Sequence, residues 1–216
     1  MKVISRSVTL QPILNRSRGV WYYEWFAGVA DGPWDDPVEA TRCDNIMLQS
    51  LAANAALIRT VPVGVNLAFL TAVHAGPQMV KRLAMLLPRG SVVELTEHAA
   101  DKATGQEFQQ VKRTCDALRH AGMILALDDC TPGHPFGDRA LWRMLLPQII
   151  KVDLASAGVE EMAAQAHQAG MLLVCERVET SAREMQAVAL QADGIQGFLI
   201  APPRAIEEQS REVGRV

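Results

Sequence analysis

The chain lacks paired-cysteine and histidine motifs, excess basic charge and long hydrophobic runs. Its four cysteines, Cys43, Cys115, Cys130 and Cys175, are scattered without a CxxC pair or regular spacing. Most sit in or beside apolar runs, where cysteine acts as a small hydrophobe, and this usage suits a reducing compartment. The five histidines form no HxH, HExxH or HxxxH pattern, so a histidine-built zinc or iron site has little support. Any metal has to be held by oxygen. With 21 Lys and Arg against 24 Asp and Glu, the formal charge is -3 and the pI near 6.0, which argues against a nucleic-acid polymer as partner and for a small ligand. No run approaches the length of a secretory h-region or a membrane span, so the expectation is a cytoplasmic protein without membrane association. Low-complexity tracts and short-period repeats are also missing.

What is present is core material. A length of 216 residues with 49% hydrophobic content can bury one sizeable core, so one domain is expected over 1–216, with its core at about 7–204 and residues 205–216 as a charged tail or last helix. Short apolar segments recur at 9–14, 20–26, 61–67, 92–95, 123–127, 149–152, 171–174 and 195–200, which makes eight candidate strands. Amphipathic stretches separate the later ones. Phe108, Val111, Cys115 and Leu118 fall on one helical face before Gly122, and Ser181 with Glu184 reads as a capping box ahead of a face carrying Met185 and Val188. Alternating strands and helices imply parallel pairing.

The runs VPVGVNLAF, MILALDD, QIIKVD and MLLVCERVE are apolar without alternation, as strands buried on both faces are. An open doubly wound sheet and a closed barrel both satisfy this, and eight strands favour the barrel. The segment NRSRG is too tight for a helical crossover, so the first two strands read as a hairpin. The stretch DGPWDDP reads as a surface loop, with Trp25 and Phe26 before it as strand core.

The polar residue within or just after each apolar run is Glu24, Asn66, Glu94, Asp128, Asp129, Lys151, Glu176 or Gln196, and most are acidic. In a parallel α/β barrel the carboxyl ends of the strands face one side, so these groups would converge. Taken singly, each acid or amide has an alternative reading as an N-cap or turn former. Lys151 is different, because a lysine between Ile149, Ile150 and Val152 is buried and needs an anionic partner. Crowded carboxylates in turn need a cation, and carboxylates plus one amide suit Mg²⁺ or Mn²⁺, as one ion or two.

The segments QPILN at Gln11, YYEWF at Glu24, VNLAF at Asn66, ELTE at Glu94 and Glu97, ALDD at Asp128 and Asp129, IIKVD at Lys151, CERVET at Glu176 and Glu179, and GIQGF at Gln196 resemble, in order, the EAL-domain cyclic di-GMP phosphodiesterases. The resemblance implies an α/β fold, a modified TIM-type (β/α)8 barrel with an N-terminal hairpin and one antiparallel strand. It implies hydrolysis of cyclic di-GMP to linear pGpG with Mg²⁺ or Mn²⁺. Glu24, Asn66, Glu94, Asp128, Asp129 and Glu176 would then hold metal. Glu176 and Lys151 would handle the attacking water and the developing phosphate charge. Gln11 and Gln196 would line the substrate pocket, and Glu97 would steady the loop after Asp129.

The resemblance also has gaps. Active members carry an arginine four residues after the glutamate that Glu24 matches, where it grips a substrate phosphate, and here that position is Gly28. The loss removes a charge-assisted contact worth about 1.5–3 kcal/mol. After Asp129 the chain reads Cys-Thr-Pro-Gly-His-Pro, stiffer than the family's usual loop, and His134 within it reads as an exposed loop residue. Two functions follow as expectations: a phosphodiesterase, or an inactive barrel serving as a cyclic di-GMP receptor or protein-interaction regulator. A homodimer or a regulatory protein is the macromolecular partner either would take. An unrelated metal-dependent barrel enzyme would make the ordered motifs accidental.

Overall fold

The computed structural model describes residues 8–27 and 34–206. The chain opens with a hairpin in which β1 (Thr9–Asn15) and β2 (Val20–Phe26) run antiparallel, placing Gln11 opposite Glu24 and Ile13 opposite Tyr22. Asn15 builds the turn: its Oδ1 accepts from the Ser17 and Gly19 amides at 3.0 and 3.1 Å.

From β2 onward, successive strands pair in parallel: β3 (Val63–Ala68), β4 (Val92–Thr96), β5 (Ile124–Leu127), β6 (Ile149–Asp153), β7 (Leu172–Glu176) and β8 (Gly194–Ile195). β8 then pairs antiparallel with β1, Leu14 opposite Ile195, so eight strands close into a barrel whose one reversed strand is β1. A ninth strand, β9 (Arg204–Ala205), lies on β1 outside the ring. The helices are α1 (Pro37–Ala53), α2 (Ala55–Ile58), α3 (Phe69–His74), α4 (Gly76–Leu86), α5 (Gly105–His120), α6 (Arg139–Leu145), α7 (Val159–Gln168) and α8 (Ser181–Ala189). No helix among the described residues is long and apolar enough to cross a membrane.

Two apolar cores explain why the strands read as unbroken hydrophobic runs. Outward-facing strand residues such as Leu67, Leu95 and Val152 join helical Leu48, Val111, Leu118 and Trp142 in the larger core. Ile13, Tyr22, Val92, Ala126, Ile149 and Val174 pack separately inside the barrel. Side chains alternate along a strand, so the residue two positions on from each of these shares the interior. That second interior layer is polar.

Several local expectations are corrected. Residues 195–200 are not a strand: β8 stops at Ile195 and the chain turns, with the Ile200 amide bonding back to Gly197 O at 3.0 Å. Arg204 and Ala205 form the short strand β9 and Ile206 is helical, while 207–216, most of the expected tail or last helix, lie outside the described residues. Thr180, not Ser181, caps α8, its Oγ1 accepting from Arg183 N at 3.3 Å. The face with Met185 and Val188 is 68% and 70% exposed, because α8 packs inward through the small Ala187 on its opposite side. Within DGPWDDP, Asp36 caps α1 by accepting from Val38 N and Glu39 N at 2.9 and 3.0 Å; residues 31–33 lie outside the described residues.

Candidate active site

The polar layer sits at the carboxyl ends of the parallel strands, where each residue follows an apolar one by two: Glu24 after Tyr22, Glu94 after Val92, Asp128 after Ala126, Lys151 after Ile149, Glu176 after Val174. On the reversed strand the order inverts, and Gln11 precedes Ile13. Gly64 makes room where the two layers meet at β3. A Cβ there would lie 2.6 Å from the Tyr22 ring and 2.9 Å from Glu94 Oε1. Glycine inside an otherwise apolar strand is the sequence signal for such close approach, and the run VPVGVNLAF carries it.

Lys151 stands at the centre and is fully buried. Its Nζ lies 3.3 Å from Glu24 Oε2, 3.0 Å from Asp128 Oδ1 and 2.9 Å from Glu176 Oε1, and donates to Glu94 Oε2. Burial opposes the ammonium charge, but Asp128, Glu176, Glu24 and Glu94 outweigh it and hold the lysine well above its ordinary pKa. Around it runs an amide network. Asn66 Nδ2 donates to Glu24 Oε1 at 2.7 Å, and Gln196 Nε2 donates to Glu24 Oε2 at 2.7 Å and to Gln11 Oε1 at 3.1 Å. Gln11 Nε2 donates to Ala201 O at 3.0 Å, tying the reversed strand to the segment after β8.

One ammonium does not neutralise the four carboxylates it touches. Burial, reinforced by Glu24, pushes Glu94 up to about 8, and burial likewise raises Glu176 well above the usual carboxylate range. Glu97 rises to about 7 and Asp129 to about 6, in both cases through burial first and then Asp128 among other charges. The layer has an unmet demand for positive charge.

Buried Asn66 Oδ1, Glu94 Oε1 and Gln196 Oε1 have no hydrogen-bond partner, and Asp128 Oδ1 has only its ion pair with Lys151. Orphaned hard-oxygen acceptors beside surplus carboxylate are what a divalent cation of the magnesium type satisfies, so the donor set fits such an ion. Among the described residues, no group of three or more His, Cys, Asp or Glu is already arranged as a metal cluster. The carboxylates are turned onto Lys151, and a cation would have to take over part of that hold.

The layer forms the floor of a cavity of about 870 Å³. Gln11, Glu24, Asn66, Glu97, Asp128, Asp129, Glu176, Glu179 and Gln196 all line it. Glu94 and Lys151 lie beneath the floor, both fully buried. Asp129 has φ 47°, a strained backbone for a non-glycine residue. Glu97 lies beside His98 Nδ1 at 3.2 Å, and Glu179 pairs with Arg183. His134 is elsewhere: it caps the 3₁₀ turn Pro135–Gly137, accepting from Phe136 N at 3.2 Å, and lines a different cavity. Gly28 lies outside the described residues.

Some residues on the cavity wall carried no reading from sequence. Asp44 of α1 is buried there, accepting from Ala68 N at 3.1 Å, and burial raises its pKa to about 7. Trp34 and His98 meet at the rim with ring centroids 6.1 Å apart. Arg177, φ 54°, reaches Asp153 with its guanidinium. Helix position 8 of α1, which faces inward among Ala40, Met47 and Leu51, could have revealed Asp44 as an acid on an apolar face.

The arrangement matches known folds. The crystal structure of the EAL domain of Mycobacterium smegmatis DcpA superposes with a TM-score of 0.76 at 20% identity, covering 97% of both chains. The Bacillus subtilis YkuI protein, which has an EAL domain and was solved with substrate c-di-GMP and calcium, gives 0.73 at 20% identity over 92% of this chain and 55% of its own. Klebsiella pneumoniae BlrP1, in a complex with calcium and cyclic di-GMP, gives 0.69 at 23% identity over 91% and 55%. No curated protein sequence matches the chain. The sequence profile of the EAL domain matches residues 5–203, so the chain belongs to the EAL domain family.

Proposed function

We propose that this protein is a divalent-metal-dependent phosphodiesterase that adds water across one phosphodiester link of cyclic di-GMP to give linear pGpG. The carrying observation is that Glu24, Glu94, Asp128 and Glu176, drawn from four strands, meet at Lys151 on the floor of one cavity, with more negative charge than the lysine balances. The solved complexes of YkuI and BlrP1 with the same cyclic dinucleotide and calcium support the reading.

Glu24, Asn66, Glu94, Asp128, Asp129 and Glu176 would hold Mg²⁺ or Mn²⁺, one ion or two. Such an ion, when bound, supplies Lewis acidity at the phosphoryl group and eases deprotonation of water. The protein groups do the rest. Glu176, at the end of β7 and facing the cavity, accepts the proton of the attacking water. Lys151, kept protonated by its carboxylate neighbours, orients Glu176 and offsets the negative charge of the floor beneath the phosphate. Gln196, itself bonded to Gln11, fixes Glu24, both amides line the substrate cavity, and Glu97 stands as the acid near the loop after Asp129.

The second reading, a cyclic di-GMP receptor or regulator without turnover, is favoured by Gly28 and by the stiff sequence at 130–135. Incubation with cyclic di-GMP and Mn²⁺, followed by chromatography for pGpG, separates the two. The proposal predicts product from wild type and a loss of at least about 100-fold in Glu24→Ala and Lys151→Ala. Tight binding without product would overturn hydrolysis in favour of the receptor, and neither binding nor product would overturn both.

A further inference from the structure

A cyclic dinucleotide carries two phosphates, and an acidic floor meets at most one of them through bound metal. The other needs a cation on the cavity wall. Lys151 cannot serve, since it is fully buried below the floor and committed to four carboxylates. Among the described residues that line the cavity, Arg177 is the only lysine or arginine. Residues 28–33, Gly-Val-Ala-Asp-Gly-Pro, contain no lysine or arginine.

Arg177 is also held in an unusual way. Its φ of 54° puts a long side chain in the left-handed region, where glycine fits and a branched or bulky residue is strained. Neighbouring backbone enforces that conformation. Val178 N donates to Gln196 O at 3.0 Å, and Leu199 N donates to Val178 O at 3.0 Å. Gly197 lies so close that a Cβ on it would fall 2.3 Å from both Val178 N and Val178 O. The side chain is steadied as well. Its Nη1 donates to Asp153 Oδ2 at 2.9 Å, and Asp153 Oδ1 in turn accepts from Ala155 N at 2.7 Å. The Arg177 side chain remains 62% exposed, and a guanidinium has five N–H donors, of which this bond uses one. An exposed ion pair adds little stability and does not account for an arginine kept at a strained position.

We infer that Arg177 is a substrate-binding residue whose guanidinium, pre-positioned by Asp153, grips a phosphate of the bound cyclic dinucleotide. The inference rests on the proposed function. It places the phosphate grip on the β7 side of the cavity, the strand that ends at Glu176, instead of on the segment after β2.

The test uses the full chain with Ca²⁺ as a supporting ion and calorimetric titration of cyclic di-GMP into wild type, Arg177→Gly, Arg177→Gln and Arg177→Lys. Arg177→Gly relieves the backbone, so its Tm should equal or exceed that of wild type, while Arg177→Gln keeps the stem and removes the charge. The inference predicts that both raise Kd by about tenfold or more, and that Arg177→Lys recovers binding to within about threefold. Under Mn²⁺ turnover, KM should rise by a similar factor with kcat changed less than about threefold. Wild-type affinity in Arg177→Gly and Arg177→Gln would overturn this inference while leaving the phosphodiesterase reading intact. A wild-type protein that neither binds nor hydrolyses cyclic di-GMP would overturn that reading, and this inference with it.

Discussion

The two layers inside the barrel are built from the same strands two residues apart, yet they are chemically opposite. Ile13, Tyr22, Val92, Ala126, Ile149 and Val174 fill one end with apolar volume, and Glu24, Glu94, Asp128, Lys151 and Glu176, with the amide of Gln11, crowd the other with charged and polar groups. Burial that stabilises the first layer penalises the second, because taking a carboxylate out of water costs free energy unless a cation receives it. The fold therefore divides its tasks along the barrel axis, with the apolar layer and the outer helical core supplying the stability that the acidic layer draws on.

Breaking the comparison at its centre should give the largest effect. Lys151→Met leaves Glu24, Glu94, Asp128 and Glu176 without their shared ammonium, and should cost about 3–5 kcal/mol, or roughly 6–20 °C in Tm for a chain of this length. Millimolar Mg²⁺ should restore part of the loss. The counterpart in the apolar layer, Ile149→Val, removes one methylene and should cost only about 0.5–1.5 kcal/mol, with no response to Mg²⁺. Equal losses, or equal Mg²⁺ responses, in thermal melts would show that the layers are not energetically distinct.

A smaller effect sharpens the same contrast away from the ring. Asp44 is buried with no ammonium at hand, and burial lifts its pKa from 3.8 to about 7 despite its hydrogen bonds. The folded state therefore holds a proton that the unfolded chain has lost, so stability falls as pH rises from about 4 to about 7. Asp44→Asn should remove that dependence, raising Tm at pH 8 by about 3 °C or more and leaving it nearly unchanged at pH 4. A Tm difference that does not vary with pH would place the Asp44 charge outside the energetic balance.

Much of the polar layer was legible because strand-end position and residue type coincide in sequence. Most apolar runs carry their interior polar group within or just after them, and Lys151 between Ile149, Ile150 and Val152 announces a buried charge. The hairpin was legible from NRSRG and the parallel strands from their lack of alternation. What stayed hidden depends on contacts between distant segments. Nothing local says that β8 must stop at Ile195 so that the turn through Gly197 can deliver Gln196 to Glu24. Nor does helical spacing tell which side of α8 meets the barrel: Met185 and Val188 satisfy the pattern, but Ala187 makes the contact. Arg177 reads as one more surface charge until its backbone conformation and its place on the cavity wall are known.

The central claim is that the acidic layer is a divalent-metal centre and not a self-contained lysine–carboxylate network. Calorimetric titration of Mn²⁺ into wild type and Glu94→Gln at pH 7.5 tests it most directly. The account predicts saturable binding to wild type, weakened by at least about tenfold in the variant, since Glu94 Oε1 is among the orphaned acceptors that a cation would satisfy. Absence of saturable binding to wild type, or the same affinity in both proteins, would contradict it.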